Sequence, residues 1–255
     1  MSGLWRVDKK EWQGERCFIL GGGASVLSQN LELIKGQRLI AINSAWETAP
    51  WADFLVFADS RWWHHNHLKI KDFKGRIIST SSVPRGPPPL LRMHRKTPPG
   101  LADDIGTLAV KFTTLSAAIN LAVHLGVSSM VLLGIDGKAI NGKTHHHSPH
   151  PWRTVPGCWE KQKKDLVLIA QQLNERGIVC VNASPDSTWE FWPKVRFADV
   201  VASIAKPIVT AAGLPDVDDV SGRLDAGHDY LGAGTEPGNC QGRAAAERLD
   251  GALPA

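Results

Sequence analysis

A chain of 255 residues, 43% hydrophobic and 21% charged, is long enough to bury one substantial core and too short to lead one to expect a second full domain. It has no run of about 18 apolar residues, and its start, MSGLWRVDKKEWQGER, has no apolar signal core, so a cytoplasmic location is expected rather than a membrane span or secretion. The formal net charge of +4 and an isoelectric point near 8.9 are compatible with a nucleotide or polyanionic ligand but do not establish nucleic-acid binding.

Residues 1–15 are polar with two tryptophans and no clear period, and read as an irregular lead. The first predicted element is the apolar run Arg16 to Leu20, which stops at Gly21, Gly22, Gly23, Ala24, Ser25. A strand running into consecutive glycines lets a backbone approach a phosphate or sugar, because absent side chains leave N–H groups accessible. The spacing is neither GxGxxG nor GxxxxGK[ST], so a standard dinucleotide fingerprint or P-loop is disfavoured, and a plain tight turn stays open as the alternative.

Leu27 to Ile34 predicts a short helix stopped by Gly36. Strands follow at Arg38 to Asn43 and Ala52 to Ala58, the latter running into Asp59. With Asp136 further on, three apolar strands finish in a polar residue: Asn43, Asp59 and Asp136. In open α/β sheets ligands bind outside the carboxyl ends of the strands, which places a candidate site there. Turn initiation by Asn and Asp is the competing explanation.

After Asp59, SRWWHHNHLKIKDF predicts a helix; His64 and His67 share a face but lack a Cys or acidic partner that would complete a metal pattern. Gly75 to Thr80 reads as another strand. The proline-rich stretch from Ser82 to Gly100 predicts a long surface loop or flap, since prolines remove donors and fix the backbone. Its Arg85, Arg92 and Arg95, with His94 and Lys96, are candidates for an anionic acceptor, nucleic acid included, or are simply solvated.

Thr113 or Thr114 caps a predicted helix running to His124 and ended by Gly126, followed by a buried strand from Ser129 to Leu133 with an apolar extension to Ile135. The loop Lys138 to Pro156 then carries His145, His146, His147 and His150. Histidine suits general base work near neutral pH. Three consecutive histidines cannot all point one way, and a metal site with Asp136 or a solvated loop are the other readings. A helix from about Trp159 to Arg176 leads to a strand at Ile178 to Ala183, and TWEFWPKVRFADVV closes the globular part. Beyond about Lys206 the Gly, Ala, Asp and Pro-rich sequence reads as a disordered tail, giving domains of 1–15, 16–205 and 206–255. Cys17, Cys158, Cys180 and Cys240 form no CxxC motif and read as buried free thiols.

GGGASV after the first strand, AIN at the second, FAD at the third and TLSAAINLAVHLGVSSMVLLGID together resemble the superfamily of bacterial lipooligosaccharide sialyltransferases. They also resemble the related 6-hydroxymethylpterin diphosphokinase-like proteins, with the THHHSPHPW loop and GIVCVNASPDS closest to phage and prophage members. The likeness covers about residues 16–198. It implies a single α/β domain with a Rossmann-like, doubly wound, mainly parallel sheet that binds a nucleotide-linked donor. The resemblance maps the nucleotide contacts onto Gly22, Ser25, Asn43, Asp59 and Thr114 with Leu115; with the rest of the glycine turn, the helix cap and the strand end, the candidate nucleotide-binding residues are Gly21, Gly22, Gly23, Ser25, Asn43, Asp59, Thr113, Thr114 and Asp136. The sequence departs from the family pattern at Gly22, Asp59 and Leu115, where the sialyltransferases carry asparagine, asparagine and glycine, and the only tyrosine is Tyr230 in the tail.

The resemblance implies transfer of a glycosyl group from a nucleotide sugar to a hydroxyl acceptor, a glycan or nucleic acid, with His147 or His150 as base and no required metal. The alternatives are an ATP-dependent pyrophosphokinase, with Mg²⁺ held by Asp59 and Asp136, and an inactive phage-type binding or assembly protein. The oligomeric state is not readable.

Overall fold

β1 (Arg16–Leu20) is an interior strand of a seven-stranded, wholly parallel sheet. The computed structural model describes residues 4–7, 9–83, 89–97, 99–147 and 157–204. From β1 the chain winds outward through β2 (Arg38–Ile42), β3 (Phe54–Phe57), β4 (Arg76–Ser79) and β5 (Leu90–Arg92), then returns to the other side of β1 with β8 (Ser129–Leu133) and β9 (Val179–Asn182). The order β5-β4-β3-β2-β1-β8-β9 is the doubly wound arrangement, and its direction reverses between β1 and β8. β1, β2, β3 and β8 are almost wholly buried, as expected of parallel strands covered on both faces, while the edge strand β5 is half-buried.

One face is covered by α2 (Thr114–Leu125) and α3 (Cys158–Glu175), with Ile19, Ile40, Val56, Leu132 and Trp189 in the same apolar cluster. The other is covered by α1 (Ser60–Asn66), α4 (Phe197–Ile204) and short 3₁₀ turns at Ala24–Ser28, Leu31–Ile34 and Asn43–Glu47. The helix expected over Leu27 to Ile34 is thus a pair of 3₁₀ turns, the second capped by Asn30, whose side chain accepts from Glu32 N. α2 buries eleven of its twelve residues, so it is an internal helix rather than a surface one. Its Asn120 is satisfied there by Ala102 N, Gly100 O and Ser116 O.

The proline-rich stretch departs from the expected surface loop. Its prolines cluster at 84, 87–89 and 98–99, leaving 90–97 free to pair. There β5 becomes the sheet edge, and β6 (His94–Lys96) pairs with β7 (Thr107–Ala109), a strand not anticipated from sequence. Met93 between them is 1% exposed and enters the core. Arg85 and the sequence beyond 204, including the expected disordered tail, lie outside the described residues.

Residues 9–15 carry no helix or strand yet are held in place. Trp12 donates its backbone N–H to Leu125 O, is 2% exposed and meets the Phe54 ring edge-on at 5.2 Å. Trp12→Ala is expected to cost about 3–5 kcal/mol, by the large-to-small penalty of a buried aromatic. Leu68→Ala, at a residue 73% exposed, should stay within about 0.5 kcal/mol. Urea unfolding of the two variants checks both.

Candidate functional site

Where the winding reverses, the loops after β1 and β8 turn to opposite faces and leave a cleft between them. Its walls are the glycine turn 21–23, Ile42 and Asn43 after β2, Thr113 to Leu115 at the start of α2, and 134–138 after β8. Thr144, His145, Cys158, Trp159, Gln162 and Trp189 complete it, around a cavity of about 140 Å³. Of the residues singled out from sequence, Gly21, Gly22, Gly23, Asn43, Thr113, Thr114 and Asp136 are brought together here.

The glycine turn is stitched to the end of β8. Gly21 N donates to Leu133 O and Gly23 N to Gly134 O, both at 2.8 Å. Asp136, 3% exposed, accepts from Ser25 N at 3.0 Å and from Ser25 Oγ at 2.5 Å. Ser25 Oγ also meets Ser184 Oγ at 3.0 Å, and Ser184 Oγ accepts from Ile135 N. The expectation that the whole turn offers free N–H groups therefore changes. The N–H groups of Gly21, Gly23 and Ser25 are used internally, to Leu133 O, Gly134 O and the Asp136 carboxylate. Gly23 is needed for close approach, since a Cβ there would stand 2.6 Å from Gly134 O.

Asn43 sits at the other side of the cleft in an unusual state. Its backbone is left-handed, with φ 50°, a region that non-glycine residues rarely enter. It is 9% exposed, and its side-chain oxygen has no hydrogen-bond partner among the described residues. Thr113 caps α2, its hydroxyl accepting from Leu115 N at 3.2 Å. Leu115, where the resembling enzymes carry glycine, is 3% exposed and belongs to the core while also reaching the cleft wall. Asp165 of α3 holds this helix start by accepting from Phe112 N at 3.0 Å, and burial pushes its carboxyl above the usual range.

The histidine run folds over the glycine turn. The His146 N–H donates to Gly22 O, and its ring Nε2 lies 3.0 Å from Gly21 O. A carbonyl only accepts, so Nε2 carries the proton and Nδ1 accepts from Thr48 Oγ1 at 2.9 Å. His145 and His147 fall on the opposite side, ring centroids 4.8 Å apart. A Cβ on Gly22 would stand 2.9 Å from His147 Nε2 and 3.0 Å from His145 Cδ2. The space that a turn asparagine would fill is thus taken by these two rings. Burial pushes His145 down to about 4, with His147 and His146 adding to the effect, and burial likewise takes His146 to about 4. His150 lies outside the described residues.

The remaining sequence candidates stand elsewhere. Asp59, 7% exposed, caps α1 through Arg61 N and forms a two-pronged ion pair with the Arg61 guanidinium. It follows β3, three strand spacings or roughly 14 Å from β8 and Asp136. Arg92 Nη2 donates to Val83 O, and Arg95 Nε to Val110 O; neither lines the cleft. Among the described residues no three His, Cys, Asp or Glu side chains converge as a metal site, and no helix is long and apolar enough to cross a membrane. Sequence reasoning passed over Lys138, Cys158, Trp159, Gln162 and Trp189. The one local signal was Trp159 and Gln162, three apart at a helix start and so on one face.

No protein-family model and no curated protein matches the chain. Among solved structures it is similar to the MAf glycosyltransferase from Magnetospirillum magneticum AMB-1, with a TM-score of 0.54 and 16% identity over 75% of this chain. The match covers 35% of that protein, so this chain spans about a third of its length. At this identity the likeness is one of α/β fold alone.

Two outcomes follow from the geometry. Asp136→Asn removes the charge that accepts both Ser25 bonds, and should lower stability by about 1–3 kcal/mol in urea unfolding, the range for hydrogen bonds to charged groups. The depressed values of His145 and His146 mean that the unfolded chain binds more protons between about pH 4 and 6.5. Their contribution is therefore complete above pH 6.5 and is lost as pH falls towards 4. The thermal midpoint should drop across that window, and the drop should be smaller in His145→Gln and His146→Gln.

Proposed function

We propose that the cleft binds a nucleotide-linked sugar and that the protein transfers its glycosyl group to a hydroxyl acceptor. The observation that carries this reading is Asn43, a left-handed residue of the cleft wall whose side-chain oxygen is buried and has no hydrogen-bond partner among the described residues. The orphaned acceptor costs stability in the empty state, and a ligand hydroxyl donating to that oxygen, with the side chain turned into the cleft, offsets it. Unsatisfied polar groups are found where a ligand completes the structure, and of the nine buried unpartnered side-chain atoms among the described residues the one on Asn43 belongs to a residue that lines the cleft at the switch point. The glycosyltransferase among the similar folds supports the same class.

In this reading the Gly22 N–H and the start of α2 face the donor phosphate, and Ser25 and Asp136 hold the glycine turn rather than touch the ligand. A histidine of the 145–150 loop takes the proton from the acceptor hydroxyl as its oxygen bonds to the sugar carbon and the bond from that carbon to the phosphate oxygen breaks. His145, on the cleft wall, joins His147 and His150 as a candidate base; His146 is occupied at both ring nitrogens. The cavity of about 140 Å³ is below the roughly 300–1,000 Å³ of typical small-molecule pockets. The histidine loop must therefore shift, or part of the donor lies outside it.

Thermal-shift measurements with CMP, UDP, GDP and ATP, each with and without Mg²⁺, test the reading. A saturating nucleotide at 100 times its Kd stabilises by about 2.7 kcal/mol. Metal-independent stabilisation by CMP or a nucleoside diphosphate supports a sugar-nucleotide site. A response to ATP that needs Mg²⁺ supports pyrophosphoryl transfer instead, and no response to any leaves a binding or assembly protein. Asn43→Gly should keep or raise the ligand-free midpoint, because glycine adopts the left-handed region freely, while weakening nucleotide binding tenfold or more. His145→Ala and His147→Ala should lower turnover at least a hundredfold in whichever residue is the base, with nucleotide binding retained.

A further inference from the structure

α3 follows β8 and leads into β9, so it begins near the carboxyl edge of the sheet and runs back towards the opposite edge. Its core-facing stripe is Leu166, Ile169 and Leu173, all buried and spaced by three and four residues. Continued towards the helix start, the same spacing arrives at Gln162 and Trp159. Here the stripe no longer meets the core alone: both side chains line the cleft. Exposure follows the same pattern, since Glu160, Lys161, Lys163 and Lys164 are exposed while Trp159 and Gln162 are half-buried.

A glutamine in the row of inward-facing leucines and isoleucine carries a cost unless its amide is bonded. Neither the Gln162 amide nor the Trp159 indole N–H has a hydrogen-bond partner among the described residues. The other tryptophan of the cleft is fixed differently: Trp189 is 4% exposed and held under Gly137, where a Cβ would stand 2.8 Å from its ring. A half-buried indole with an amide one turn away suits a flat heterocycle. The ring supplies a stacking surface, and the amide supplies one acceptor and two donors for the polar edge of the stacked group. The opposite rim is different in kind, because Asn43 offers an acceptor suited to a hydroxyl. β2 and β8, which feed the two rims, are two strand spacings or roughly 10 Å apart, with β1 and its glycine turn between them.

We infer that the Trp159–Gln162 face of α3 is the nucleobase subsite of the cleft, the base stacking on the Trp159 ring and its polar edge bonding to the Gln162 amide. The donor then lies across the switch point, base on the α3 side and transferred sugar on the Asn43 side. This rests on the nucleotide-sugar reading and assigns a base-selecting role to Gln162, which the sequence resemblance does not. Both residues bind and orient; neither takes a proton.

Titration calorimetry of the full-length protein with UDP, CDP, GDP and ADP, and with CMP, tests the assignment on the unaltered chain and on Trp159→Ala, Trp159→Phe and Gln162→Ala. The unaltered protein is expected to prefer one base. Trp159→Ala should weaken that nucleotide by about tenfold or more, the scale of one base–aromatic stack, while Trp159→Phe keeps it within about threefold. Gln162→Ala should lower the ratio of affinities between the preferred base and the others by about fivefold or more, with the ligand-free thermal midpoint unchanged. A merely structural role for Gln162 would weaken all the nucleotides alike. Binding by Trp159→Ala within threefold of the unaltered protein, or a base preference that Gln162→Ala leaves intact, overturns the subsite and leaves the nucleotide site standing. Absence of binding by every nucleotide to the unaltered protein overturns both.

Discussion

The stitch between the ends of β1 and β8 is the constraint on which the site depends. Neighbouring strands that send their chains to opposite faces of a sheet open a crevice, and that crevice needs backbone on both rims brought close without side chains between. Gly21 and Gly23 meet the carbonyls of Leu133 and Gly134, and the Asp136 carboxylate holds Ser25 from the far side. A Cβ at Gly23 would collide with backbone, which cannot yield as a flexible side chain does. With the turn fixed, Gly22 and the start of α2 line the same cleft, and His146 anchors its loop on Gly21 and Gly22.

The sheet was legible because its strands are short apolar runs bounded by turn residues, and such runs are buried wherever they fall. β1 and β8 match the ranges read from sequence, and β2, β3, β4 and β9 differ by one or two residues at their ends. β5, β6 and β7 were not legible, since three-residue strands beside prolines carry no period. Their pairing is decided by Met93 and Leu108 entering the core, a tertiary effect that local sequence does not encode.

The site was legible as a place more than as a set of contacts. Polar residues at three strand ends pointed to the carboxyl edge, yet those ends are not equivalent: Asn43 and Asp136 flank the switch point, and Asp59 sits outside it paired with Arg61. Which strand end borders a crevice depends on strand order, and no single strand carries that information. Likewise His145, His146 and His147 are identical in sequence and differ only through what each ring meets: Thr144 and the cleft, Gly21 with Thr48, and Gly22. The departure at Gly22 also becomes intelligible, because the loop that covers the turn needs the volume a side chain would take.

The position of β1 between β2 and β8 bears on how the chain is made. β2 emerges soon after β1, but β8 follows more than a hundred residues later, with Arg16 finally opposite Ser129. Until then this largely buried strand has one unpaired edge, and contacts so distant in sequence are slow to form. During synthesis that edge is a template for pairing with another nascent chain, so expression at high rate would favour aggregation of the incomplete sheet. Completion of the cleft and closure of this edge are the same late event.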